Sequence, residues 1–197
     1  MDAARVAALR ELLASTSWVE RTRGFARTMR TLTTLPSGLL LVGTPDDEPW
    51  HLTAHLSDEA QLANLPQMRP TLIRWQAEPD APAHLAVTVQ RLEHATRGET
   101  VVVVAEEDAP EGLLQRAWDA RKAGATVLSL DGGDTELHDV AHESLSVVTS
   151  DLVEVSFDSV QHLVSAAVGE VPVGSRRGFR DRLGRMLDTM TGPRTGR

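Results

Sequence analysis

The chain has 197 residues, 41% hydrophobic and 24% charged, with a formal net charge of −8, the balance of a globular domain with a full core. It contains no cysteine, which excludes a disulfide framework and thiol chemistry. No apolar run reaches the length of a bilayer-spanning helix, and MDAARVAALRELLAS at the N-terminus lacks the apolar stretch of a signal peptide, so the expected compartment is the cytoplasm.

In chain order, Val6, Leu9, Leu12 and Leu13 recur at helical spacing over residues 2–14. A second helix is predicted over 18–33 after the Ser-Thr-Ser cap signal. LLLVG (39–43) reads as a short buried strand, and EPWHLTAHLSDEAQL starts a helix with Pro49 in its first turn. TLIRW (71–75) is a second strand, and a helix is predicted over 82–96. VVVVA (101–105) is the third strand, followed by a helix that ends at Gly124, suited to a helix C-terminus. TVLSL (126–130) is the fourth strand, residues 131–134 its loop, TELHDVAH a short helix, SLSVV (144–148) the fifth strand and FDSVQHLVSAAVG the closing helix. Short apolar strands alternating with helices predict an α/β fold, a three-layer α/β/α sandwich around a five-stranded parallel sheet. N-terminal helices and a basic C-terminal helix complete it. The four tryptophans are scattered and read as core.

The charge is unevenly placed. Residues 175–197 carry seven Arg and two Asp, a balance of +5, which leaves the first 174 residues at −13. An acidic body disfavours nonspecific nucleic-acid binding. In the tail, Phe179, Leu183, Met186, Leu187 and Met190 form one apolar stripe flanked by Arg176, Arg177 and Arg180. Such a helix suits docking on the acidic body, on a protein partner or on an anionic membrane surface.

Two loops that follow strands, the usual position for anion binding in doubly wound sheets, are acidic. Gly43-Thr44-Pro45-Asp46-Asp47-Glu48 follows the first strand and Glu106-Glu107-Asp108 the third. One reading makes these acids helix caps: Asp108 and Glu111 have capping-box spacing, and Asp46 or Asp47 precedes Pro49. The other makes Gly43, Thr44, Asp46, Asp47, Glu106, Glu107 and Asp108 a ligand site for an amine or a metal ion. His51, His55 and Glu59 lie at i, i+4 and i+8 on one helical stripe, a spacing that can present two imidazoles and a carboxylate to a divalent metal. His138 and His142 share the spacing and read as a solvated face. His162, in the closing helix, reads as core or interface. No Walker A loop, dinucleotide fingerprint or nucleophile elbow is present, and no cofactor is expected.

ARKAGATVLSL, LHDVAHESLSVV and FDSVQHLVSA (within 101–169) resemble the sugar isomerase (SIS) domain, and GLLLVGTPDDEPWHLTAHLSDEA resembles its first strand, phosphate loop and following helix. The resemblance spans roughly 38–170. It implies residues 1–37 as an N-terminal helical region, 38–174 as the SIS-like domain and 175–197 as an appended tail. It also implies a homodimer packed through the N-terminal helices and the closing helix, where Val160, Leu163, Val164 and Ala167 form an apolar stripe. Family members hold a sugar phosphate with Gly-x-Gly-x-Ser after the first strand and Ser-x-Ser-Gly-x-Thr after the third. Here Gly43 matches, Thr44 is the one hydroxyl of the first loop and the second loop has none; His142 stands where the family usually has Asp. The expectation is a noncatalytic regulatory or scaffolding protein working through protein contacts. The alternative is a sensor or isomerase that still binds a sugar derivative at the carboxyl edge of the sheet.

Overall fold

The computed structural model describes residues 3–14, 16–148 and 155–170. The tail expectations, Arg176, Arg177, Phe179, Arg180, Leu183, Met186 and Leu187 among them, lie outside the described residues.

Two helices, α1 (Ala3–Leu12) and α2 (Trp18–Leu32), lead into strand β1 (Leu39–Val42), followed by α3 (Trp50–Leu62) and β2 (Pro70–Ile73). Then come β3 (Thr100–Ala105), α4 (Glu111–Lys122), β4 (Thr126–Asp131), α5 (Thr135–Val140), β5 (Glu143–Ser146) and α6 (Phe157–Val168). The five strands form one parallel sheet in the order β2-β1-β3-β4-β5. The change of direction in that order lies between β1 and β3, so the loops after these two strands flank the crevice where such sheets bind ligands.

Every residue of β1 and β3 is buried, as expected of strands covered on both faces. Alternation sends Leu39, Leu41, Val102, Val104, Leu128 and Leu130 to one face, where they meet Phe25 and Met29 of α2, Leu52 and Leu56 of α3, and Val160 and Val164 of α6. Leu40, Val42, Val101, Val103 and Val127 meet Leu113 and Ala117 of α4 and Leu137 of α5 on the other. Thus α2, within the N-terminal helical region, shares the core of the sheet.

One expectation needs correction. Residues 82–96 form two short 3-10 segments, Ala83–Leu85 and Val89–His94, rather than one α-helix. The β-branched run Val87-Thr88-Val89 is held extended alongside β2: Arg74 N–H donates to the Val87 carbonyl, and Val89 N–H donates to the Arg74 carbonyl, both at 2.9 Å. A strand-like bridge at this point breaks the helical ladder. The apolar stripe of α6 is spent within the chain: Val160, Leu163 and Val164 are at most 1% exposed and Ala167 is 6% exposed.

Candidate functional site

The loop after β1 closes on itself. The Thr44 hydroxyl accepts from Asp47 N–H at 3.2 Å, and a Cβ on Gly43 would stand 2.0 Å from the Asp47 carbonyl oxygen. Only glycine permits that approach. Asp46 and Asp47 point to solvent, and neither caps α3, whose N-cap is Pro49 with no side-chain bond. The acid that is engaged is Glu48. Its carboxylate accepts from Arg74 Nε, Trp75 N–H and Trp50 Nε1, each at 3.0 Å. Trp75 Nε1 donates to the Gly43 carbonyl at 2.9 Å, and the Arg74 guanidinium lies 4.9 Å from the Trp50 ring centre. Two tryptophans and an ion pair thus fasten the end of β2 to the loop after β1. Trp50 and Trp118 are nonetheless 43% exposed, so reading all four tryptophans as core is wrong for these two.

The loop after β3 is arranged differently from the capping-box reading. Glu106, Glu107 and Asp108 face solvent; the N-cap of α4 is Pro110, with no side-chain bond. The carboxylate at the mouth of α4 comes from the next crossover. Asp134 Oδ2 accepts from Ala109 N–H at 2.8 Å, while Oδ1 accepts from Glu136 and Leu137 N–H at 2.9 and 3.1 Å as the cap of α5. One buried carboxylate therefore satisfies backbone donors of two loops. The loops meet closely: a Cβ on Gly132 would lie 2.0 Å from the Glu106 carbonyl oxygen.

Behind this junction lies a polar cluster. Strand alternation puts Ser129 and Asp131 on the face covered by α4 and α5. Asp131, 0% exposed, accepts from Ser129 Oγ at 2.6 Å, Gly133 N–H at 2.9 Å and His138 Nε2 at 2.9 Å. Burial pushes its carboxyl up, but the hydrogen bonds from Ser129, His138, Gly133 N–H and Ser146 outweigh burial and hold it below the ordinary value. Ser146 Oγ also lies 2.9 Å from His138 Nε2. Carboxylate and hydroxyl meet the same ring nitrogen, so the group is not a nucleophilic relay, which needs them on opposite nitrogens. Its work is to tie β4, α5 and β5 together. The His142 ring continues that role, with Nδ1 accepting from Val127 N–H at 3.0 Å. His142 is exposed, as a solvated face would be, whereas His138 is half-buried against Asp131.

The third grouping joins α3 to α6. His51 and His55 stand one turn apart, as their spacing predicts, and His162 of α6 completes the set: the ligating atoms of the three all lie within 4.8 Å of one another. Ring centres form a nearly equilateral triangle with sides of 4.6, 4.6 and 4.7 Å. The Nε2 atoms of His51 and His55 are 3.0 Å apart. Asp158, one turn before His162, lies 3.2 Å from His51 Nδ1 and 3.4 Å from His162 Nε2. Glu59 is not in the converging set; His162 is buried, as its reading as core expects, but its convergence with His51 and His55, and the place of Asp158 beside them, were not read from the sequence. Burial, and the neighbouring His51, hold the His55 pKa below the ordinary imidazole value; burial does the same for His162 against the pull of Asp158. His162 is 4% exposed, His51 54%, so the triangle opens outward.

No family model matches the chain, and no curated protein matches it. Solved structures do. The sugar isomerase domain of an RpiR transcription factor from Sphaerobacter thermophilus matches with a TM-score of 0.53 at 11% identity, over 82% of this chain and 84% of that one. The Vibrio vulnificus NanR protein complexed with ManNAc-6P matches with a TM-score of 0.51 at 12% identity, over 87% of this chain and 61% of NanR. A hypothetical protein matches with a TM-score of 0.53 at 13% identity, over 96% of both chains. Among the described residues, no helix is long and apolar enough to cross a membrane. A five-stranded parallel sheet in the order β2-β1-β3-β4-β5, covered by helices on both faces and aligned with these structures, is the sugar isomerase domain fold.

Proposed function

We propose that this chain is a noncatalytic SIS-fold protein, regulatory or scaffolding, that acts through protein contacts and no longer holds a sugar phosphate. The observation that carries the reading is Asp134. Its carboxylate accepts from Ala109 N–H at the mouth of α4, and an incoming phosphate would have to displace a carboxylate that also caps α5. The loop after β1 adds to this, because its hydroxyl is turned onto its own backbone. Exposed Asp46, Asp47, Glu106, Glu107 and Asp108 on the two loops repel a dianion. The protein works in the cytoplasm as a homodimer.

The match to NanR, solved with ManNAc-6P, supports a second reading, a sensor that binds a sugar derivative at the carboxyl edge. Calorimetry and thermal shift with a panel of hexose, heptose and N-acetylated amino-sugar phosphates decide between them. The expected result is no binding and no rise in Tm. Saturable binding of any member, lost in a Gly43→Val variant that blocks the loop, replaces the proposal with the sensor reading.

A further inference from the structure

The geometry points to a divalent transition-metal site of the zinc class, built by His51 and His55 of α3 and His162 of α6 and oriented by Asp158. Three convergent imidazoles are the ligand set that zinc, cobalt and nickel favour, whereas magnesium and calcium take oxygen. The spacing fits. Two nitrogens bound to one tetrahedral zinc at about 2.1 Å lie about 3.4 Å apart, and the His51 and His55 Nε2 atoms are already 3.0 Å apart. Spreading the pair by a few tenths of an ångström replaces one imidazole–imidazole hydrogen bond with two metal bonds. The proton that His55 holds on Nε2 moves through water to its Nδ1, so the ring stays neutral and both Nε2 lone pairs face the ion.

Asp158 supplies the outer shell. With its carboxylate 3.2 Å from His51 Nδ1, it fixes the tautomer that carries the proton on Nδ1, which leaves the Nε2 lone pair aimed into the triangle. This is the carboxylate–histidine–metal arrangement that orients a ligand ring. The burial of His162 and the exposure of His51 give the ion a fixed inner wall and an outer side open to water. Three protein ligands with an open fourth position is the pattern of zinc sites able to bind an exogenous group. The site is independent of the fate of the phosphate loops, so it stands whether or not a sugar derivative binds.

The test uses the full, untagged chain, freed of metal and titrated with Zn²⁺ and with Co²⁺, with Mg²⁺ and Ca²⁺ as controls. The expected result is one equivalent of Zn²⁺ per chain, a raised Tm, and an intense visible Co²⁺ spectrum of four-coordinate type. Mg²⁺ and Ca²⁺ should give none of these. His51→Ala, at an exposed position where folding is not at risk, abolishes the Co²⁺ spectrum; Asp158→Asn weakens binding about 10–100-fold. His162→Gln keeps a polar buried side chain and is checked for folding by circular dichroism. Absence of stoichiometric binding overturns the proposal. Binding that persists undiminished in His51→Ala or in folded His162→Gln also overturns it, since the metal would then sit on other histidines.

Discussion

Asp131→Asn tests whether the buried carboxylate behind the loop junction is a structural fastener. The substitution keeps the shape and removes the charge. The best placement for the amide oxygen is that of Oδ1, which accepts from Gly133 N–H and His138 Nε2, both at 2.9 Å. The NH₂ group then faces Ser129 Oγ, now 2.6 Å from Oδ2, and the hydroxyl must reverse to accept. Hydrogen bonds to a charged group contribute about 1.5–3 kcal/mol each against about 0.5–1.5 for neutral ones, so weakening three of them removes roughly 3–4 kcal/mol. Part of that returns because a neutral amide costs less to bury than a carboxylate, leaving a net loss of about 1–3 kcal/mol. For a chain of this size the shift corresponds to a Tm lower by roughly 3–10 °C. The sign of the pH dependence follows from the depressed carboxyl. Its contribution is present above the unfolded-state value, 3.8, and is lost as pH falls through the lower folded value. Urea and thermal unfolding of both proteins should therefore show the full gap from pH 5 to 7 and a narrowing gap below about pH 3.8. Equal stability at pH 7, or a gap that persists unchanged into acid, would refute the reasoning.

Two further expectations follow from other parts of the chain. Glu48→Ala removes the acceptor shared by Arg74, Trp75 and Trp50; it should cost about 1–3 kcal/mol and shift tryptophan fluorescence to the red, and an unchanged spectrum counts against the fastener at the end of β2. If the apolar stripe expected from the sequence of the tail docks on the body, deleting residues 175–197 should lower Tm and promote aggregation, since burying five large apolar side chains would contribute about 1.5–3 kcal/mol each before ordering entropy; an unchanged Tm with salt-sensitive loss of liposome or partner binding would make the tail a recruiting segment.

The sheet was legible because LLLVG, VVVVA and TVLSL are runs that a both-face-buried parallel strand requires, and their spacing leaves room for right-handed crossovers. Residues 82–96 were misread because Leu85, Val89 and Leu92 fit a helical stripe while the feature that decides the conformation, the pairing of Thr88 with Arg74, is a tertiary contact. The acid loops show the same limit. Capping was judged from local spacing, Asp108 to Glu111, yet the carboxylate at the mouth of α4 is Asp134, 25 residues after Ala109. Two adjacent parallel strands deliver it, and Gly132 permits the two loops to touch.

The histidine cluster was half visible for a related reason. Spacing on α3 gave His51 and His55, and a further turn of the same helix suggested Glu59 as the third ligand. A helix presents i, i+4 and i+8 in a row roughly 12 Å long, too extended for three short side chains to close on one point. Convergence needs a second element, and α6 provides it with the same four-residue spacing, Asp158 and His162. That partner could not be read from the strand order, because α6 follows β5 at the far edge of the sheet and returns to pack beside α3. What brings it back is its apolar face: Val160 and Val164 bury against Leu128, Leu130 and the residues of α2 and α3, which leaves Asp158 and His162 against His51 and His55. The core therefore sets the distance between the rings.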